Sequence, residues 1–200
     1  MEEVKPRYEF RVWSGTLRAV HEKLMQRGSA KKTESEETYL ITKATDQCNA
    51  KIRAALMDIK VLVAVDRGLE QWKPVLKAGF PLAASVITDE LFPALKVAAP
   101  SLAKPTYQLD EFLNDVVKPI GEITVVNVRK IRHQFTIDTC AAEYAHITMN
   151  GVPRDTVAVE SVDPDAILKL VKELGVIGAN TSYIREIKRV LGLAAEATRA

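Results

Sequence analysis

Cysteine, histidine and aromatic side chains are scarce in this 200-residue chain: two cysteines, three histidines and 6% aromatics. Two cysteines exclude a disulfide scaffold, and Cys48 and Cys140 lie too far apart for a metal-ligand spacing. They read as free buried thiols in a reducing, cytoplasmic setting. His21, His133 and His146 have no carboxylate or cysteine at ligand spacing; His21 falls on an exposed helix face and His133 on a strand face turned towards outer helices. Long hydrophobic runs are missing too. The longest, around Ile59 and Val61 to Val65, fall far short of the roughly 20 residues a membrane helix needs, so no membrane association is expected. The N-terminus, Met1-Glu2-Glu3-Val4-Lys5-Pro6, is too charged to be read as a signal peptide. A net charge of +2 gives no bulk pull towards nucleic acid. No glycine-rich phosphate loop and no nucleophile elbow is present, so any anion must be held by side chains.

What the chain has is a set of charged dyads. Arg7-x-Glu9-x-Arg11, Lys51-x-Arg53 and Lys130-x-Arg132 each lie in a stretch that alternates like a β-strand, where residues two apart share a face. Residues 7–13, 34–42, 48–53 and 58–65 read as strands. In the last, Ile59, Val61, Val63 and Val65 oppose Asp58, Lys60 and Asp66. Strand pattern resumes at 122–138, and 140–149 and 154–161 flank Asn150-Gly151, a strong hairpin signal. The hairpin at 54–56 lacks Gly, Asn and Asp, and Lys31-Lys32 reads as a solvated turn.

Helices are expected from Thr16, as cap, to Gly28, with Leu17, Val20, Leu24 and Met25 as the apolar stripe. Others follow from Asp163-Pro164 to Gly175, and from about Thr181 to Leu191. The tail from Ala194 reads as frayed. Leu69, Trp72, Val75 and Leu76 fit one amphipathic helix, and Leu91, Phe92 and Leu95 another, so residues 68–117 read as a helical insertion in a single domain. Trp13 and Trp72 read as packing residues. Most strand pairs have no helix between them, which excludes a βαβ repeat and leaves an α+β chain with a largely closed antiparallel sheet.

The proposed charged face carries Arg7, Arg11, Lys51, Arg53, Lys60, Lys130 and Arg132 against Glu9, Asp58, Glu143 and Glu160, an excess of three cations. Solvated strand faces usually mix in Thr, Ser and Gln. An enclosed positive excess is costly unless a partner anion offsets it, and a polyphosphate-type anion suits Arg and Lys.

These residues, in this order, resemble the CYTH domain, or triphosphate tunnel metalloenzyme, family. The matches are Glu9-x-Arg11, Lys51-x-Arg53, Lys60, Lys130-x-Arg132, the strand Thr156-Val157-Ala158-Val159-Glu160 and a helix entered by Ser182-Tyr183. The resemblance implies an eight-stranded antiparallel barrel with helices outside. Its tunnel would bind a triphosphate or polyphosphate through the seven cations. It also implies Mg²⁺ or Mn²⁺ held by carboxylates, here Glu9, Glu143 and Glu160, and hydrolysis of the triphosphate. Two family carboxylates are replaced, one by Arg7 and one by Ala158. Arg7 would then stand in for one cation, and a binding module without chemistry becomes the alternative. The further alternative is an α+β domain whose basic face binds RNA or a protein.

Overall fold

The computed structural model describes residues 5–15 and 17–193. The Thr16 cap, residues 1–4 and the tail beyond 193 lie outside the described residues. The strands are β1 (Arg7–Trp13), β2 (Lys31–Thr42), β3 (Cys48–Arg53), β4 (Leu56–Asp66), β5 (Leu69–Gly79), the short pair β6 (Leu82–Ala83) and β7 (Thr106–Tyr107), β8 (Ile123–Ile137), β9 (Cys140–Met149) and β10 (Val152–Ser161). The helices are α1 (Arg18–Arg27), α2 (84–95), α3 (109–117), α4 (Pro164–Leu174) and α5 (Tyr183–Val190). Eight strands close into an antiparallel barrel in the order β1-β10-β9-β8-β2-β3-β4-β5, with β5 returning to β1. The fold is α+β, as expected.

Four two-residue hairpins build most of the barrel. Asn150-Gly151 (φ 44° and 86°) and Arg67-Gly68 (φ 49° and 82°) take the positive φ values such turns need. Ala54 and Ala55 do so as well, at 49° and 55°, with no glycine or asparagine to ease them; the flanking ladder from Cys48↔Val61 to Arg53↔Leu56 holds them there.

Residues 69–79, expected to be helical, form β5 instead. Pro74 explains the difference, because a mid-helix proline loses a hydrogen bond and clashes with the preceding turn. In the sheet it lies opposite Lys60, beside a register shift between Ile59 and Lys60, where a missing N–H is tolerated. The helical insertion is therefore confined to 84–117. Lys31 and Lys32, read as a turn, open β2.

Three apolar clusters follow from the alternation. The insertion packs Leu91, Phe92, Leu95 and Phe112 over the outer faces of β3 and β4, at Ala50, Ile52, Met57 and Ile59. On the opposite flank α1 and α4 cover Phe135, Tyr144, Val157 and Val159 with Leu24, Ile167 and Leu174. Val63 and Val65, at the end of β4, stay exposed. The third cluster is inside: Tyr183, Ile184 and Ile187 of α5 pack on Tyr39, Ile41, Val126, Val128 and Ile147, so α5 closes one end of the barrel.

The β1–β5 seam has only three paired positions, Arg7↔Trp72, Tyr8↔Gln71 and Glu9↔Glu70. Beyond them Asn180 does the stitching. Its Nδ2 donates to the Glu9 carbonyl and to the Gly68 carbonyl, both at 2.9 Å, and its Oδ1 accepts from the Arg11 amide at 2.8 Å.

Candidate functional site

The dyads turn inward. Strand parity places Glu9 and Arg11 on β1, Lys51 and Arg53 on β3, Asp58 and Lys60 on β4, Lys130 and Arg132 on β8, Glu143 on β9 and Glu160 on β10 around one tunnel. Arg7, on the same β1 face, is exposed at the open mouth. Val61 and Val63 do not fill the barrel, and His133 points outward to α1 as expected.

Arg11 is 3% exposed and fully engaged. Its Nε donates to Glu9 Oε1 at 2.7 Å and its Nη1 to Glu143 Oε1 at 3.4 Å and Thr156 Oγ1 at 3.2 Å. The guanidinium carbon lies 4.5 Å from the Tyr183 ring centroid. Burial works to raise the Glu9 carboxyl, but Arg11 more than offsets it and holds Glu9 below its ordinary value.

A second group centres on Glu37, whose side chain has no exposure. Its Oε2 lies 2.9 Å from Lys130 Nζ and 3.1 Å from Lys51 Nζ, and its Oε1 lies 3.7 Å from Arg53 Nη1. Lys130 also donates to Tyr39 Oη at 2.8 Å and sits 3.8 Å from the Tyr183 ring centroid. Burial, then the neighbouring Lys51, push the Lys130 ammonium down to about 7 against the pull of Glu37. Burial would raise the Glu37 carboxyl, yet Lys130 and Lys51 hold it far below the carboxylate range.

The third group has space beside it. A cavity of about 180 Å³ is lined by Arg7, Glu9, Asn49, Lys60, Trp72 and Glu160, with Tyr183 at its floor. Trp72 is thus a tunnel wall rather than only a packing residue, while Trp13 packs edge-on against Tyr183. Glu9 and Glu160 are direct partners across the β1–β10 ladder. Burial first, then the Glu9 charge, push Glu160 up to about 7. The Oδ1 of Asn49 and the Nε of Arg132 are buried without a hydrogen-bond partner. Arg132 Nη2 reaches only Ser35 Oγ, at 3.1 Å. Among the described residues no carboxylate comes within 4 Å of Arg7, Lys60 or Arg132.

No family model matches the sequence, and no curated protein matches it. Solved structures do. The chain is similar to HpAC1 from Hippeastrum, described as an adenylyl cyclase candidate with a dominant triphosphatase activity, at 12% identity, TM-score 0.52 and coverage of 95% of this chain and 98% of that one. It is similar to PH1012 from Pyrococcus horikoshii OT3 at 15% identity and TM-score 0.52, covering 91% and 98%. A conserved protein from Pyrococcus furiosus aligns at 13% identity and TM-score 0.52, covering 89% and 98%. The chain has the CYTH-like triphosphate-tunnel fold.

Within this barrel, sequence reasoning placed the dyads on the inward face but missed Glu37, Asn49 and Tyr183. Glu37 was legible in the alternation Thr33-x-Ser35-x-Glu37-x-Tyr39, which puts it beside the Lys51 strand once β2 and β3 pair. Counting Glu37 lowers the enclosed cationic excess from three to two. Arg11, rather than Arg7, lies between carboxylates: its guanidinium bridges Glu9 and Glu143.

Of the expected metal ligands, Glu9 and Glu160 border the cavity, while Glu143 is paired with Arg11. Among the described residues no group of three acidic, histidine or cysteine side chains could hold a metal ion. Glu143 and Glu9 are both turned to Arg11. Divalent magnesium takes one or two carboxylates together with phosphate oxygens, so Glu9 and Glu160 could hold an ion only together with the anion and do not form a closed site by themselves.

Proposed function

We propose that the tunnel binds a triphosphate or polyphosphate anion through its own cations, with Arg11 neutralising Glu9 and Glu143 so that these carboxylates do not repel it. The reading is carried by cations with no carboxylate within 4 Å: Arg7 and Lys60 beside the cavity, and Arg132 on β8 with a buried, unpartnered Nε. Phosphate oxygens are the acceptors that a guanidinium fork and an ammonium satisfy most fully. Enclosure of the cations disfavours an extended RNA- or protein-binding face, since only the end of such a polymer could reach side chains inside a barrel closed at one end.

Within this reading Arg7 and Lys60 hold the phosphates next to the cavity and Arg132 reaches them from β8. Glu160, near half-protonated at pH 7, can lend or take a proton at a phosphate oxygen. That pair of carboxylates supports hydrolysis of the bound triphosphate as a second reading, as does the triphosphatase activity of HpAC1 on the same fold.

The deciding experiment is calorimetric titration of tripolyphosphate into the protein with EDTA present, paired with a phosphate-release assay with and without Mg²⁺ and Mn²⁺. Binding that survives chelation is expected. Binding that requires metal, with rapid release, would instead establish a metal-dependent phosphohydrolase.

A further inference from the structure

All three histidines of the chain converge on one outer patch of the barrel, far apart in sequence and remote from the tunnel contents. His21 comes from α1, His133 from β8 and His146 from β9. His21 Nε2 and His133 Nδ1 are 2.8 Å apart, with ring centroids 4.8 Å apart and planes tilted by 44°. Tyr144 stacks on His21 at 4.1 Å and 15°. It is itself fixed by its hydroxyl, which donates to Asp155 Oδ2 at 3.2 Å. His146 lies edge-on to Tyr144 and has its Nδ1 2.6 Å from Asp155 Oδ1.

A hydrogen bond between two imidazoles needs one donor and one acceptor, so at least one ring is neutral. With both rings neutral, moving the donor's proton to its other nitrogen leaves an unprotonated nitrogen on each ring at the contact. Two imidazole nitrogens each about 2.05 Å from a metal and 2.8 Å from each other subtend about 86° there. That is closer to the cis angle of tetragonal copper(II) or nickel(II) than to the tetrahedral angle of zinc. The rings are pre-positioned: His21 by the Tyr144 stack and the α1 backbone, His133 by its place in a strand paired on both sides. Both are half-buried, so solvent reaches the remaining coordination positions.

We propose that His21 and His133 form a two-imidazole clip for a tetragonal divalent transition ion, copper(II) or nickel(II), on the outer face of the barrel, with water completing the sphere. Coordination needs neutral imidazoles, and the His21–His133 contact already requires that of at least one ring. His146, tied to Asp155, is not one of the two ligands. Lys32 pairs across from His133 in the β2–β8 ladder but is exposed and carries its charge into solvent.

The test uses the untagged full chain, since an affinity tag would compete. Copper(II) is titrated by calorimetry and followed by electron paramagnetic resonance. One ion per chain and a hyperfine pattern from two nitrogens are expected. His21→Gln and His133→Gln should each weaken binding by about tenfold or more and leave a single-nitrogen signal, whereas His146→Gln should keep both nitrogens. A circular-dichroism melt of each variant guards against misfolding. Binding that is unchanged in the first two variants, or lacks nitrogen coupling, would overturn the proposal and leave the pair as a hydrogen bond only. Zinc binding equal to or tighter than that of both copper and nickel would overturn the tetragonal assignment.

Discussion

Glu37 and Lys130 form a salt bridge at 2.9 Å inside the barrel, with side-chain exposures of 0% and 3%. They sit on adjacent strands, two ladder positions apart, since Glu37 pairs with Val128 and Lys130 with Ser35. Together with Lys51 they make the tunnel partly self-neutralised. An incoming anion has to compete with Glu37 for Lys51, Lys130 and Arg53, whereas Arg7, Lys60 and Arg132 have no carboxylate partner among the described residues. The two halves of the site should therefore respond differently to substitution.

Glu37→Gln leaves two buried ammonium groups without their counter-charge. Breaking one side of a buried pair costs about 3–5 kcal/mol, and the low end applies because Lys130 can shed its proton near pH 7. The variant should melt lower than wild type in plain buffer yet gain more from tripolyphosphate. Differential scanning fluorimetry with a tripolyphosphate series reads both, and equal ligand shifts in the two proteins would contradict the competition.

Arg132→Ala and Lys60→Ala should each reduce the ligand-induced rise in melting temperature without large intrinsic loss, since neither has a carboxylate partner. A ligand at 100 times its dissociation constant stabilises by about 2.7 kcal/mol, so removing one charged contact of about 1.5–3 kcal/mol should abolish most of the shift. A shift that survives in both variants would place the anion elsewhere.

Glu160→Gln should change stability with pH. The folded carboxyl is raised from 4.5 to about 7, so the proton is bound more tightly in the folded state. Its contribution is fully present below pH 4.5 and is lost as pH rises through 7. The neutral amide escapes that loss. The variant should match wild type near pH 4.5 and melt roughly 2–6 °C higher at pH 8, as thermal melts across that range would show. A difference independent of pH would contradict the raised Glu160 carboxyl.

Asn180→Ala deletes three hydrogen bonds to main-chain groups at the β1–β5 seam. At about 1 kcal/mol each, a loss of roughly 2–3 kcal/mol is expected by urea titration. Amide exchange should rise first at Arg11, whose N–H bonds Asn180.

Replacing Ala54-Ala55 with Asn-Gly gives the β3–β4 hairpin residues suited to positive φ. A gain of roughly 0.5–1 kcal/mol in chemical denaturation is expected, with ligand binding unchanged.

Much of the barrel was legible because period-two alternation is strict where one strand face is apolar and the other charged, as in Lys51-Ile52-Arg53. It failed at Leu69–Gly79, where spacing of Leu69, Trp72, Val75 and Leu76 also suits a helix; Pro74 was the overlooked arbiter. In the site the cations were visible as dyads, but their partners were not. Glu37 stands in a run of acidic residues, Glu34, Glu36 and Glu37, of which it alone is fully buried. Asn180 precedes a helix and meets β1 only in three dimensions. The histidine patch has no sequence spacing at all, since the barrel's strand order creates it.

The α5 plug turns the barrel into a blind-ended socket. Whatever enters passes the rim formed by Arg7, Lys31 and Gln134 and must back out the same way. A linear polymer could seat only its terminus against Tyr183, never thread a middle segment. On a mixture of chain lengths, occupancy would then scale with the number of ends rather than with total phosphate.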